Sequence, residues 1–218
     1  MGRKKASRDE SEAQQQLMKA TLDVIKEKGI DGATARAIAD VAGLNQSLIF
    51  YYFGSVTGLI IESVRDMSAT RRILYTDALA KSANLQEAAT KVFDIFKQDR
   101  KACSFVVLSQ FVVSASNNEQ IAKSLEEIYD PWLDLIEIEL QRLMNNAVLP
   151  NDITYKDAAM SLMSLFMGIQ FMAGIDTYEK QVEGLISKVP NFANLLALLP
   201  MLLGSIPGSA VGNDQNNS

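Results

Sequence analysis

Apolar side chains recur every three or four residues along most of the chain, which is the spacing of amphipathic α-helices. The first such stretch covers about residues 10–28 and ends at Gly29, a residue suited to the left-handed conformation of a helix C-terminus. Two shorter stretches then meet at Gly43, and a fourth covers about residues 55–80. The pattern predicts two short helices joined by a tight turn and flanked by two longer helices.

The segments after Leu85 also have helical spacing. Residues 105–113 are rich in β-branched side chains, which favour strands, but the chain offers no partner strand, so we predict a buried helix. Asp130-Pro131 is typical of an N-cap followed by a first-turn proline, and predicts a helix to about Asn146. A continuous helix over 119–146 with a kink at Pro131 is the alternative. We therefore predict an all-α fold.

Two C-terminal stretches, residues 154–173 and 190–204, are apolar on nearly all sides. A helix of this kind is buried on two faces, here against its own domain and against a partner. We expect a homodimer through these helices, assembled as a four-helix bundle; the alternative is that one of them completes a monomer core. The polar residues 205–218 are expected to form a disordered tail.

Four consecutive aromatic residues lie in the second short helix, at positions 50–53. Adjacent helical positions point about 100° apart, so a single buried stripe cannot cover all four rings. We expect Ile49 and Phe53 to share the buried face, Phe50 and Tyr51 to point outward, and Tyr52 to lie at the margin. Two short helices joined at Gly43 are therefore interpreted as a helix-turn-helix, whose second helix enters a major groove about 12 Å wide.

This region resembles the tetracycline-repressor (TetR) family in about 45 residues, including the preceding helix. The residues that carry the resemblance are Thr34, Ile38-Ala39, Ala42-Gly43-Leu44-Asn45, Ile49-Phe50-Tyr51-Tyr52-Phe53-Gly54-Ser55 and Leu59. The resemblance implies an N-terminal three-helix helix-turn-helix DNA-binding domain and a larger helical domain for ligand binding and dimerisation. It also implies that an effector moves the recognition helix by shifting the fourth helix, which enters both domains.

We expect operator DNA to contact the caps and outward side chains of this region. For Arg36, a base or phosphate contact and a plain surface position are both open. The predicted DNA-binding residues are Thr34, Arg36, Asn45, Gln46, Ser47, Phe50, Tyr51, Tyr52 and Ser55.

Three positions depart from the pattern that the resemblance implies. Ser47 stands where the family usually has glycine, Phe50 where it has tyrosine, and Val56 where it has a lysine that contacts a phosphate. We therefore expect a weaker or differently distributed grip on phosphates. The leading prediction is a ligand-responsive transcriptional regulator, a repressor that binds a palindromic operator as a dimer and is released by a largely apolar small molecule. The alternative is an all-helical binding or sensor protein for apolar molecules, with an impaired helix-turn-helix.

Composition and charge narrow the function further. The 218 residues are 48% hydrophobic and include no histidine and one cysteine, Cys103. Because histidine and cysteine are the usual metal ligands and histidine the usual general base, we expect no metal site, no cofactor and no enzymatic activity. The net charge is −5, yet residues 1–72 hold 11 basic and 9 acidic side chains, and the remainder hold 10 and 17. This asymmetry favours a polyanion contact through the first part only. An apolar signal core is lacking, so we expect a cytoplasmic protein without membrane spans.

We divide the chain into a flexible basic arm (1–9), a DNA-binding domain (10–56), an effector-binding and dimerisation domain (57–204) and a tail (205–218). Buried charges are expected to be few, so a hydrophobic small-molecule effector is predicted. Most of the aromatic and methionine side chains that could line its pocket are also ordinary core candidates. The candidate lining residues are Phe93, Phe96, Phe105, Gln110, Phe111, Tyr129, Trp132, Met163, Phe166, Met167 and Gln170.

Overall fold

A computed structural model describes residues 2–101, 104–149, 153–186 and 188. Their secondary structure is helical and includes no strand, which confirms the predicted all-α fold. The helices are α1 (Gly2–Lys28), α2 (Ala35–Ala42), α3 (Ser47–Phe53), α4 (Val56–Ala80), α5 (Leu85–Lys101), α6 (Ser104–Ser114), α7 (Glu119–Leu143), α8 (Tyr155–Ala173) and α9 (Glu179–Ile186), with a 3-10 turn at Asp176–Tyr178.

The first helix ends where the sequence predicts and begins earlier. Gly29 adopts a positive φ of 77°, and its N–H donates to the carbonyl of Ile25 at 3.0 Å. The helix starts at Gly2 rather than near Glu10. Between those positions the chain contains neither proline nor a further glycine, so nothing in it interrupts a helix. Whether residues 1–9 behave as a flexible arm stays a prediction.

One hydrophobic core joins the first three helices to α4, α6 and α7. Leu17, Ile38 and Ile49 are fully buried there, from α1, α2 and α3. They belong to the same cluster as Leu59 of α4 and Phe111 of α6. Packing is therefore continuous from the helix-turn-helix into α4, α6 and α7.

α7 is one continuous helix, so the expected restart at Asp130-Pro131 was wrong. Pro131 lies inside Glu119–Leu143. Ile128 and Leu135 are both buried, before and after the proline. Burial of the same face on both sides favours one helix over two, and this outweighs the backbone hydrogen bond that Pro131 cannot donate.

Residues 105–113 were predicted to be helical despite their many β-branched side chains, and they lie within the helix α6. α9 was not predicted, although Val182 is buried and lies three residues before Leu185. The predicted helix at 190–204, the tail at 205–218 and Cys103 lie outside the described residues.

Within the described ranges, no single helix is long and apolar enough to cross a membrane. α3 and α4, which are bent by 65° relative to each other, reach that length and composition when taken together.

Candidate nucleic-acid interface

Thr34 starts the helix-turn-helix by capping α2. Its backbone is extended, with φ −83° and ψ 156°, and its Oγ1 accepts a hydrogen bond from the N–H of Ala37 at 3.2 Å. On the helix that follows, Ile38 and Ala39 are buried against the core. The Arg36 side chain is 89% exposed, and its Nε lies 3.9 Å from the carboxylate of Asp40. Arg36 is therefore free to reach a ligand outside the protein.

The turn between α2 and α3 depends on a left-handed residue. Gly43 has φ 66° and ψ 28°, and its N–H donates to the carbonyl of Ala39. Leu44 then packs against the core, and the Oδ1 of Asn45 accepts from the N–H of Ser47 at 2.9 Å. The sequence therefore sets the turn through two local devices, a residue that tolerates positive φ and an N-terminal cap.

α3 presents one side to the core and the other to solvent. Ile49 is fully buried, whereas Phe50 and Tyr51 are 53% and 74% exposed. Gln46 and Ser47 are exposed as well. The outward-facing set of the helix is thus the one predicted from its sequence.

The other two aromatic side chains lie between these extremes. Tyr52 and Phe53 are both half-buried and pack against the core, so Phe53 is less enclosed than predicted. Tyr52 also makes edge-on contact with Tyr51, with ring centroids 4.9 Å apart. This contact ties the most exposed ring of α3 to one that the core holds.

α4 begins immediately after α3. Ser55 caps it, since its Oγ accepts from the N–H of Gly58 at 2.9 Å. A Cβ at Gly58 would lie 2.4 Å from the carbonyl oxygen of Phe53, so only glycine fits there. This close approach of α3 and α4 was not predicted; its one sequence signal is a glycine in the first turn of a helix. Val56 packs partly against the core.

Most of the candidate effector residues fall into two separate places. Aromatic rings from α4, α5, α7 and α8 form one cluster, in which Tyr75 contacts Trp132 and Phe166, and Phe96 contacts Phe166 and Phe93, at centroid distances of 5.2 to 6.3 Å. On α8, Met163 and Gln170 are buried and Met167 is half-buried. The Oε1 of Gln170 has no hydrogen-bond partner among the described residues.

Three of the candidates lie instead at the core that the helix-turn-helix shares with α4, α6 and α7. Phe111 belongs to the first core, and Tyr129 packs against it. The Oε1 of Gln110 accepts from the backbone N–H of Ile30 at 2.8 Å, which binds α6 to the end of α1. Burial raises the pKa of the Tyr129 hydroxyl to about 12, so it stays protonated. Phe105, at the start of α6, is half-buried.

A buried polar network lies beside the aromatic cluster and was not predicted. The Tyr75 hydroxyl donates to Asp99 Oδ2 at 2.9 Å, and an Arg71 nitrogen lies 2.8 Å from Asp99 Oδ1. Burial raises the pKa of the Asp99 carboxyl, against the opposing effects of Tyr75 and Arg71. The pairing keeps a charged carboxylate tolerable in the helical domain.

Polar contacts also connect α4 to α7. Arg65 forms ion pairs with Glu62 of its own helix and with Glu127 of α7. One turn along α4, Ser68 Oγ accepts from the Trp132 indole N–H at 2.8 Å. An open groove of about 620 Å³ lies beside the first of these contacts and is lined by α1, α3, α4 and α7. The aromatic cluster and the N-terminal half of α4 are thus joined through α7.

The outer face of α8 is strongly apolar. Met160, Leu165 and Phe171 are 50%, 60% and 62% exposed. A groove of about 460 Å³ runs between α8 and α9 past Leu165, Met172 and Leu185. Elsewhere in the described part of the chain, no group of three or more histidine, cysteine, aspartate or glutamate side chains is arranged to hold a metal ion.

Comparison with known proteins agrees with this geometry. Residues 17–62 match the family model for bacterial regulatory proteins of the tetR family. A segment of 77 residues, 33% of this chain, is 36% identical to the HTH-type transcriptional regulator BetI of Vibrio vulnificus (strain YJ016). That segment spans 37% of the relative's length. The resemblance found in the sequence is confirmed for the N-terminal region.

Solved structures extend the likeness to the whole fold. The fatty acid degradation regulator FadR from Bacillus halodurans superposes with a TM-score of 0.71 at 16% identity, over 83% of this chain and 94% of that one. A protein from Saccharomonospora viridis solved in complex with choline gives 0.68 at 18% identity, over 84% and 95%. At these identities the likeness concerns the fold alone.

Proposed function

Because residues 17–62 match the family model for bacterial regulatory proteins of the tetR family, we propose that the chain is a ligand-responsive transcriptional repressor. It binds a palindromic operator as a homodimer and is released by a largely apolar small molecule. The observation that carries this proposal is the exposed side of α3, where Gln46, Ser47, Phe50 and Tyr51 face away from a helix held by the buried Ile49.

Duplex DNA is the ligand that fits such a surface. An exposed helix behind a capped α2 and a glycine turn can enter the major groove, while the caps of α2 and α4 offer backbone N–H groups to the flanking phosphates. Arg36, on α2, supplies an exposed positive charge. In a dimer, two recognition helices read half-sites one helical turn or a multiple of it apart.

Gel retardation with DNA from upstream of the chain's own gene tests this proposal. We expect a specific complex whose binding constant falls steeply as salt rises, because Lys and Arg contacts release counterions from the phosphates. Replacing Tyr51 with Ala should weaken the complex about tenfold or more, since this ring is exposed and forms no part of the core. Ile73→Ala is a matched control, because Ile73 is equally solvent-facing on α4. An unchanged affinity for Tyr51→Ala would locate the recognition surface elsewhere.

The dimer is supported by the apolar outer face of α8. Side chains such as Leu165 and Phe171 expose a contiguous hydrophobic surface that a monomer would leave in water. A second copy can cover it by placing its own α8 alongside, which is the arrangement of a four-helix bundle. The predicted contribution of residues 190–204 lies outside the described residues and remains part of the proposal.

The effector is proposed to enter the aromatic cluster around Tyr75, Trp132 and Phe166. Aromatic walls bind apolar ligands well, and the buried Gln170 Oε1 can accept a hydrogen bond from one. A ligand there would displace Trp132 and therefore disturb its contact with Ser68 on α4. A thermal-shift screen should find stabilisation by apolar compounds; a screen in which only highly charged metabolites stabilise the protein would contradict this class.

Val56 is the observation that favours a second function. Its side chain packs partly against the core and carries no charge for a phosphate. An all-helical sensor of apolar molecules with an impaired helix-turn-helix would share this feature. Such a protein would still show ligand-induced stabilisation but would give no specific complex with its upstream DNA.

A further inference from the structure

The DNA-facing side of α3 carries no charge. No lysine, arginine, aspartate or glutamate occurs between Asp40 and Glu62, a run of 21 residues that contains the turn, the whole of α3 and the start of α4. Arginine or lysine paired with guanine is the commonest base-specific contact, and a carboxylate is the usual partner of cytosine. α3 has neither type of side chain to offer a G·C pair.

The side chains that α3 does present suit A·T pairs. Gln46 is exposed and makes no capping hydrogen bond, so its amide can bind the N6 and N7 edge of adenine. Phe50 is 53% exposed and has no hydrogen-bonding atom. In a major groove its natural contact is the 5-methyl group of thymine, which is the one apolar feature on the base edges.

Gln46 and Phe50 also stand in a usable register. They are four residues apart, so they lie on the same side of α3, separated by about 6 Å along its axis. Successive base pairs are about 3.4 Å apart. The two side chains therefore face base pairs about two steps apart in one half-site.

From these features we infer that the recognition helix reads A·T pairs, with Gln46 on an adenine and Phe50 on a thymine methyl group about two base pairs away. This inference rests on the proposed function, because it names the bases that the same surface selects. The thymine contact differs from a phosphate contact in that it depends on one methyl group.

Replacing thymine with deoxyuridine tests the inference, because the substitution removes the methyl group and leaves base pairing intact. The probe is the upstream DNA segment that the protein protects from nuclease digestion. Each thymine of one half-site is replaced with deoxyuridine in turn. We expect one position per half-site at which affinity falls about fourfold, the factor that corresponds to one buried methyl group. For Phe50→Ala, the penalty at that position should disappear while binding persists.

Two further variants separate specificity from general damage. Gln46→Ala should weaken binding about tenfold and abolish the preference for adenine at one position. Ile73→Ala removes an exposed apolar side chain from α4 and should keep the full deoxyuridine penalty. The deoxyuridine series needs only the unaltered protein, so a poorly folded variant does not affect it.

The outcomes are distinct. Specific binding in which no deoxyuridine position lowers affinity overturns the inference and leaves the proposed function standing. So does a penalty that persists unchanged in Phe50→Ala. Failure of the unmodified fragment to bind at all counts against the proposed function itself, and the inference falls with it.

Discussion

Gly58 lies where two helices approach too closely for any side chain. A Cβ at this position would be 2.4 Å from the Phe53 carbonyl oxygen, which belongs to the last residue of α3. Backbone cannot give way as a flexible side chain does, so a larger residue must push α3 and α4 apart. The position of α3 relative to α4 therefore depends on Gly58 having no side chain.

Gly58→Ala should therefore lower the free energy of unfolding by about 1–3 kcal/mol, the usual range for overpacking. It should also weaken operator binding, because α3 is displaced. Urea unfolding and gel retardation measure the two effects. Gly184→Ala is the matched control: among the described residues no atom lies within 4 Å of its added Cβ, and alanine favours the α9 helix. Equal behaviour of the two variants would contradict the argument.

Gln110 is a second residue whose role depends on one atom. Its Oε1 accepts from the N–H of Ile30, 80 residues away, directly after the Gly29 that ends α1. Gln110→Leu should cost about 1–3 kcal/mol in unfolding free energy, since a partly buried N–H loses its partner. Ser109→Ala should cost far less, because the Ser109 hydroxyl donates to the Val106 carbonyl within α6 in a solvent-exposed hydrogen bond. Urea unfolding of the two variants compares them, and equal losses would show that the hydrogen bond contributes nothing.

These two residues also mark what the sequence could and could not predict. The turn at Gly43 was predicted correctly, and the caps at Thr34 and Ser55 are equally local, because caps and left-handed turns are set by neighbours in the chain. Gln110 was predicted to line the effector pocket, and its contact with Ile30 has no local signal. Likewise, the constraint on Gly58 depends on the angle between two helices.

At the scale of elements, α7 illustrates a different limit. Asp130-Pro131 has the same local sequence whether it opens a helix or lies inside one. The outcome depends on Ile128 and Leu135, which are buried before and after the proline. Tertiary burial of one face is not visible in a dipeptide. Helix type was therefore predictable for α7, and helix continuity was not.

The start of α4 supports a prediction about Val56. Val56→Lys places a cation where a phosphate is expected, so operator affinity should rise and the plot of log binding constant against log salt should steepen by about 0.9 per added contact. The same change should lower the unfolding free energy by about 1 kcal/mol, because a cation at a helix N-terminus is unfavourable and packing is lost.

Titrating DNA binding across several salt concentrations, with urea unfolding alongside, measures both effects on α4. Ile73→Lys is the control, since Ile73 is exposed on the same helix and is not part of the proposed interface. A slope that is identical in Val56→Lys and the unaltered protein would mean that the N-terminus of α4 does not approach a phosphate.

At the scale of the whole molecule, packed cores and polar contacts connect the helix-turn-helix to the aromatic cluster. The first core spans the helix-turn-helix, α6 and α7, while the aromatic cluster lies among α4, α5, α7 and α8. α4 and α7 enter both regions and are joined by Arg65 to Glu127 and by Trp132 to Ser68. The Arg65 pair is partly exposed and adds little stability on its own, at most about 1 kcal/mol. Its role is to link α4 to α7 between the two regions, and not to add stability.

Assembly is the remaining property at this scale, and α8 allows it to be tested. Leu165→Glu would place a charge on the outer apolar face of α8, which costs several kcal/mol if a partner buries that position and almost nothing if water covers it. We expect sedimentation to show half the mass of the unaltered protein and operator affinity to fall, because each half-site then binds independently. Ile73→Glu, at a position 66% exposed on α4, should leave the mass unchanged. A Leu165→Glu protein with unaltered mass would mean that the apolar face of α8 does not form the dimer.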